Sequence, residues 1–124
     1  MDYDQLCSKI IECDSNIRFA SVFNTSHKHI AGGMRPDFNA YLTTEETEIS
    51  IKEAIKRWQS RMVLAHRIGI PEWTITKYAK VFRITTPVGP YELLLVSADS
   101  SVNPLNLIDK LTGLINHFED IIIK

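Results

Sequence analysis

Apolar residues recur at helical spacing in three stretches of the chain and at strand spacing in most of what lies between. Tyr3, Leu6, Cys7, Ile10 and Ile11 predict a short first helix over Asp2 to Cys13, ended by the turn-forming Asp14-Ser15-Asn16. Ile17 to Asn24 is rich in β-branched and aromatic residues and predicts a strand, with Ile17, Phe19 and Phe23 on one face and Ala20 and Val22 on the other. Apolar residues on both faces imply a strand covered on both sides. Asn24-Thr25-Ser26 turns the chain, and His27 to Gly33 returns as a second strand at a sheet edge, with Lys28 guarding against edge pairing. The pair Gly32-Gly33 predicts a bulge or a close backbone approach. Met34 to Leu42 has no clear period and reads as a connector, tacked to the body by Phe38, Tyr41 and Leu42.

The stretch from Thr44 to Arg67 predicts one long central helix. Thr43 or Thr44 can cap it, Thr43 and Glu46 have capping-box spacing, and Glu45, Glu46 and Glu48 sit near the positive end of the dipole. His66 and Arg67 fall in its last turn; Gly69 suits a left-handed stop and Pro71 forbids resumption. Roughly 24 residues would span about 36 Å at ~1.5 Å each, long for a chain this size. Ile51, Ala54, Ile55, Trp58, Met62 and Ala65 form one stripe expected to lie on a sheet. Ile49, Val63, Leu64 and Ile68 fall outside that stripe. They predict either a second covering element or a partner subunit, against the plainer reading of ordinary exposed apolar residues.

After Pro71 the chain is β-rich, and it leaves four strands or five open. Trp73 to Thr76 reads as a short piece of its own before a longer strand from Lys77 to Thr86, or the two as one bent strand. Val88-Gly89-Pro90 turns the chain into Tyr91 to Ala98, whose run Leu93-Leu94-Leu95-Val96 predicts the middle of a sheet buried on both faces. The last helix has Asn103 as cap and Pro104 at the first helical position. Its apolar face is Leu107, Ile108, Leu111, Leu114, Ile115, Phe118, Ile121 and Ile122. The order helix, strand, strand, long helix, strands, helix predicts an α/β (α+β) fold. It is a mostly antiparallel sheet of four or five strands with three helices distributed over both faces.

The 124 residues are one domain's worth, long enough to bury a core without disulfide or metal staples. Fifteen acidic residues against fourteen basic give a net charge of −1, so no broad basic footprint for nucleic acid exists. The acidic start Met1-Asp2-Tyr3-Asp4 lacks a signal-peptide pattern and no apolar run approaches ~20 residues, so a cytoplasmic, soluble protein without membrane insertion is expected. Cys7 and Cys13 point apart on one helix and cannot pair with each other.

Candidate chemistry is sparse. His27 and His29, two apart, would face one side of a strand within reach of one metal, but no spacing rule places a carboxylate beside them. Gly32 to Arg35 could cradle a phosphate through backbone amides, although it lacks the fuller phosphate-loop pattern. Ser21, Ser97 and both cysteines show no nucleophile or redox spacing, and no cofactor motif is present, so no enzyme is expected. Arg57 and Arg61, an i,i+4 pair on one flank of the central helix, form a candidate partner-binding patch with Trp73 and Tyr78 nearby. Phe19, Trp58, Met62 and Tyr78 are the candidate lining of a small-molecule pocket between sheet and central helix.

Three segments together resemble the roadblock/longin group of profilin-like folds, in particular the small archaeal and bacterial roadblock-type proteins. Ile11 to Gly33 is similar to the family's opening helix and hairpin, Gly89 to Val96 to its penultimate turn and central strand, and Pro104 to Phe118 to its closing helix. The chain departs at Ser26-His27-Lys28, where many relatives carry a glycine, and Arg61 to Phe82 matches no family segment. The resemblance implies a non-catalytic homodimer whose long helices and adjacent strands pair to make a platform for small GTPases or motor and scaffold subunits. Ile49, Arg57, Arg61, Val63, Leu64 and Ile68 are then the expected dimer or partner interface. The same architecture also resembles PAS and GAF sensory domains, which implies the pocket reading as the alternative.

Overall fold

The computed structural model describes residues 2–123, with side chains described to 119. Five strands form one antiparallel sheet in the order β2-β1-β5-β4-β3. They are β1 (Ile17–Asn24), β2 (His29–Met34), β3 (Thr74–Lys77), β4 (Val81–Pro87) and β5 (Glu92–Asp99). The helices are α1 (Tyr3–Cys13), α2 (Thr44–Met62), the single turn α3 (Ala65–Ile68) and α4 (Pro104–Ile123), four where the sequence predicts three. Trp73 to Thr86 resolves into two strands, β3 keeping Lys77 and a turn at Tyr78–Lys80 preceding β4.

The strand alternation sorts side chains onto two faces. Leu94, Val96 and Ala98 of β5, Ala20 and Val22 of β1 and Ile84 of β4 pack against Leu6, Cys7 and Ile10 of α1 and Leu107, Leu111, Ile115 and Phe118 of α4. On the other face Leu93 and Leu95 of β5 and Phe19 and Phe23 of β1 pack against Ile51, Ala54, Ile55 and Trp58 of α2. β5 is thus central and buried on both sides, as its apolar run requires.

Ile17 departs from the expected alternation. It lies in the α1/α4 cluster with Ala20 and Val22, not with Phe19 and Phe23. The pairing with β5 steps from Ile17↔Ala98 to Phe19↔Ser97, so Arg18 is the extra residue of a bulge that flips Ile17 to the opposite face.

That bulge gives Arg18 its role. Its guanidinium donates to Asp99 Oδ1 at 3.3 Å and to Asn39 O at 2.5 Å, and lies 4.1 Å from the ring centroid of Tyr41 and 4.9 Å from that of Phe38. The connector is therefore held by stacking on a mostly buried arginine, with Tyr41 itself still exposed. Arg35 acts similarly at the foot of α1. It donates from Nε to Ile17 O at 2.6 Å, and from Nη2 to Asp14 O at 2.7 Å and to Ile11 O. These include the carbonyls that the end of a helix leaves without partners.

Three helix ends and one close approach follow from local chemistry. Asp2 and Gln5 cap α1 reciprocally, as do Thr43 and Glu46 for α2. Asn103 Oδ1 accepts from the amides of Leu105 and Asn106 at the start of α4. Gly32 has a φ of 80°, and a Cβ there would lie 2.2 Å from Ala20 O and 2.8 Å from Cys7 Sγ. The bulge itself falls at Ile30, between the pairings Val22↔Ala31 and Phe23↔His29.

The central helix is shorter than expected. α2 ends at Met62, and the Val63 and Leu64 amides bond three residues back, to Ser60 O and Arg61 O. His66 Nδ1 donates to Val63 O at 3.0 Å, removing that carbonyl from the α-helical ladder, and the Arg67 amide takes Leu64 O instead. The break leaves Met62 exposed and Ala65 on α3, so the sheet-facing stripe stops at Trp58. Gly69 then adopts φ 94° and ψ 166°, a region only glycine enters readily, which is not the left-handed helical stop expected for it. Of the predicted face of α4, Leu107 to Phe118 packs on the sheet, while the side chains of Ile121 and Ile122 lie outside the described residues.

Arg35→Met should lower the stability of the chain by about 2–3 kcal/mol, read as a shift in urea midpoint at unchanged slope, because it strips a charged donor from three carbonyls. Gly32→Ala should cost at least as much, through positive φ and the clash with Ala20 O together. Wild-type midpoints for both variants would mean that neither the Arg35 hydrogen bonds nor the close approach at Gly32 holds α1 against β2.

A candidate anion-binding pocket beside the central helix

One helix does not cover the whole sheet face on its side. α2 lies over β1 and β5, and the α2-side positions of β4 and β3 include Arg83, Thr85, Thr74 and Thr76. The face thus turns from apolar to polar along the strand order. Between these strands and the flank of α2 is a pocket of about 40 Å³, lined by Ala54, Arg57, Arg61, Thr74, Thr76, Tyr78, Arg83 and Thr85. By the criterion of about 10–15 Å³ for one water, it admits a group of a few heavy atoms.

α2 supplies Arg57 and Arg61, one helical turn apart on the flank next to the apolar stripe, both exposed. β4 supplies Arg83, directly opposite Thr76 of β3 and Ser97 of β5 in the ladders. Arg83 is partly buried, donates to Ser50 Oγ of α2, and has its guanidinium carbon 5.5 Å from the ring centroid of Tyr78. It is fixed by a hydroxyl and a ring while most of its N–H groups stay uncommitted. The ion pairs among the described residues are Arg18–Asp99 and Lys110–Asp14, so none of the three pocket arginines is neutralised by a carboxylate there.

The other residues singled out in the sequence fall elsewhere. Phe19 and Trp58 pack in the apolar cluster under α2, Met62 is exposed at the helix end, and Tyr78 joins the arginine pocket, so those four do not line one space. Trp73 is across the sheet, in a cleft with Ile84, Ile108 and Leu111. Ile49, Val63, Leu64 and Ile68 are all exposed, Ile68 at 81% and Val63 at 69%. Arg57 and Arg61, expected in the sequence at a dimer or partner interface, and Tyr78, expected in a small-molecule pocket, meet here with Arg83 and the threonines, which the sequence did not single out. The available signal was the run of polar side chains at period two in Thr74, Thr76, Arg83 and Thr85.

His27 is in the hairpin turn at φ 69°, not on the strand, which begins at His29. Asn24 Oδ1 accepts from the Ser26 and Lys28 amides and holds that turn, so His27 fills the position where a glycine would sit more easily. His29 stacks on Phe23 at 5.2 Å and donates to Gly32 O at 3.0 Å. No cluster of three or more potential metal ligands occurs among the described residues. Arg35 is committed to backbone carbonyls, and Gly32 and Gly33 pair with Ser21 and Ala20, so the stretch Gly32–Arg35 does not form the phosphate cradle that its sequence allows.

Both cysteines are free; burial pushes the Cys7 thiol up to about 11 and also raises that of Cys13. Each is therefore protonated at neutral pH. No helix among the described residues is long and apolar enough to cross a membrane.

The architecture is that of the profilin-like folds, in the roadblock arrangement. A Roadblock/LC7 domain from Streptomyces avermitilis superposes with a TM-score of 0.74 at 12% identity, covering 100% of both chains. Myxococcus xanthus MglB gives 0.74 at 14% identity, covering 96% of this chain and 93% of that one. Acanthamoeba castellanii profilin IA gives 0.56 at 10% identity, covering 94% and 98%. No family model matches the chain, and no curated protein matches its sequence.

With iodoacetamide at pH 8, the native chain should be alkylated slowly at Cys13 and not measurably at Cys7 until denaturant is added, as peptide mass mapping would record. Fast native labelling of Cys7 would contradict its placement under Gly32.

Proposed function

We propose that this chain is a non-catalytic regulatory or scaffold module that self-associates as a homodimer and offers the paired surface to another protein, a small GTPase being the partner class. The observation that carries this reading is the apolar surface between positions 63 and 70. Val63, Leu64, Ile68 and Ile70 are all exposed there, with Ile49 exposed one face over on α2. In water such a run is unfavourable unless covered, and a scattering of single residues would not concentrate it at one helix end.

A second copy of the chain is the occupant that needs no further assumption. β3 is a terminal strand of the sheet, and no other strand of the described residues pairs with its outer backbone edge. The helix end and the strand edge flank the same stretch, residues 63–77, which an isologous contact would cover on both protomers at once. The likeness to roadblock structures, among them an MglB with a tetrameric arrangement, supports self-association as a property of this fold.

Val63→Asp combined with Ile68→Asp should halve the solution mass measured by light scattering without altering the far-ultraviolet circular dichroism. Both positions are exposed, so folding should survive the change. A wild-type that is monomeric at about 100 μM, or a double variant of unchanged mass, would discard helix-end pairing.

A further inference from the structure

We infer that the pocket formed by Arg57, Arg61 and Arg83 is a binding site for a single phosphoryl group, a phosphate monoester or its free anion. The inference shares Thr74 and Thr76 of β3 with the surface proposed for self-association, and it stands on the composition of the pocket. Three arginines from two elements line about 40 Å³, with Thr74, Thr76, Thr85 and Tyr78 completing the wall and no acidic residue in it. The chain as a whole carries a net charge of −1, so this local excess of three positive charges is not the overflow of a basic protein.

Every lining polar side chain can donate, and the guanidinium groups can do nothing else. A ligand must therefore bring acceptors and negative charge. A phosphoryl group presents three terminal oxygens and close to two charges, which suits a pocket lined by three arginines; a carboxylate presents two oxygens and one charge. The volume sets the upper limit. Room for a few water-sized groups suits a tetrahedral anion entering from the open side.

Arg83 gives the site its fixed element. It is partly buried, held by Ser50 Oγ and the Tyr78 ring, and stands on a central β-ladder, whereas Arg57 and Arg61 are exposed and free to close over a ligand. One preorganised fork reduces the conformational entropy lost on binding, and two mobile ones add charge. Arg57 and Arg61 lie outside the apolar surface at 63–70, so replacing them tests occupancy with that surface intact.

The test is a titration of the intact chain with inorganic phosphate at low ionic strength, followed by two-dimensional amide and arginine side-chain NMR. The expected result is saturable shifts centred on Arg83, Thr85 and Thr76 with a Kd of roughly 0.1–1 mM. Arg57→Gln and Arg61→Gln should each weaken binding about tenfold or more while leaving the fold and the solution mass unchanged. Arg83→Lys, which keeps the charge and loses the fork, should weaken it as well. Linear, unsaturated shifts, acetate binding as tightly as phosphate, or full retention of affinity in both glutamine variants would each overturn the assignment. Two further probes identify the source of the group. A short phosphoserine peptide that binds more tightly than free phosphate would support a phosphorylated protein segment, and equal affinity of ribose 5-phosphate and the peptide would support a small phosphorylated metabolite.

Discussion

The rest of the structure depends on the two-sided burial of β5. Leu93 and Leu95 face one way, Leu94 and Val96 the other, and all four are buried. Both faces of the sheet must therefore be roofed where β5 runs. α1 and α4 together cover one face, but α2 alone serves the other. A helix is about 10 Å across and strands lie about 4.8 Å apart, so a single helix shelters about two strands of a sheet roughly 19 Å wide. α2 sits over β1 and β5, and the remaining width, β2 on one side and β4 and β3 on the other, goes without an apolar cover. Polar residues at Thr74, Thr76, Arg83 and Thr85 are the consequence, since an apolar surface left there would stand open to water.

The long link between β2 and α2 has to return the chain from one edge of the sheet to its far face. Two arginines make this possible without an apolar core of its own. Arg35 ties the end of β2 to the carbonyls at the foot of α1, and Arg18, thrust out by its bulge, stacks on Phe38 and Tyr41. Charged donors suit this task because the loose carbonyls at a helix end and in a loop would otherwise have to be satisfied by water. The same bulge that serves the connector also reverses Ile17, so one extra residue adjusts both the core and the loop.

Element types and their order were legible in the sequence because they rest on periodicity and on capping signals that act within a few residues: Asp2 with Gln5, Thr43 with Glu46, Asn103 before Pro104. What was not legible depends on partners distant in the chain or on competition within one turn. The Arg18 bulge requires knowing that β5 lies alongside. The break after Met62 turns on whether the His66 ring or the Arg67 amide takes the Val63 carbonyl, a contest that propensity does not decide. The site divides in the same way. Arg57, Arg61 and Tyr78 could be named from a helix flank and its neighbourhood, but Arg83 reaches them only through the β3–β4 hairpin folding under α2.

The composition of that flank also bears on what the arginines are for. Glu53 lies four residues before Arg57, the order in which a helical ion pair is favourable, yet the two are not among the ion pairs of the described residues. An exposed pair of that kind contributes well under about 1 kcal/mol, so little is lost when the guanidinium turns elsewhere. Arg57 and Arg61 instead share a pocket with Arg83, where three like charges repel one another in the absence of a counter-charge. That arrangement is unfavourable for the folded chain alone and is tolerated because two of the three groups are solvated. It becomes favourable when an anion enters, since each guanidinium then exchanges a like-charged neighbour for an acceptor. Surface arginines placed for stability would be spaced apart or paired with carboxylates; these three line one small space and form no ion pair among the described residues.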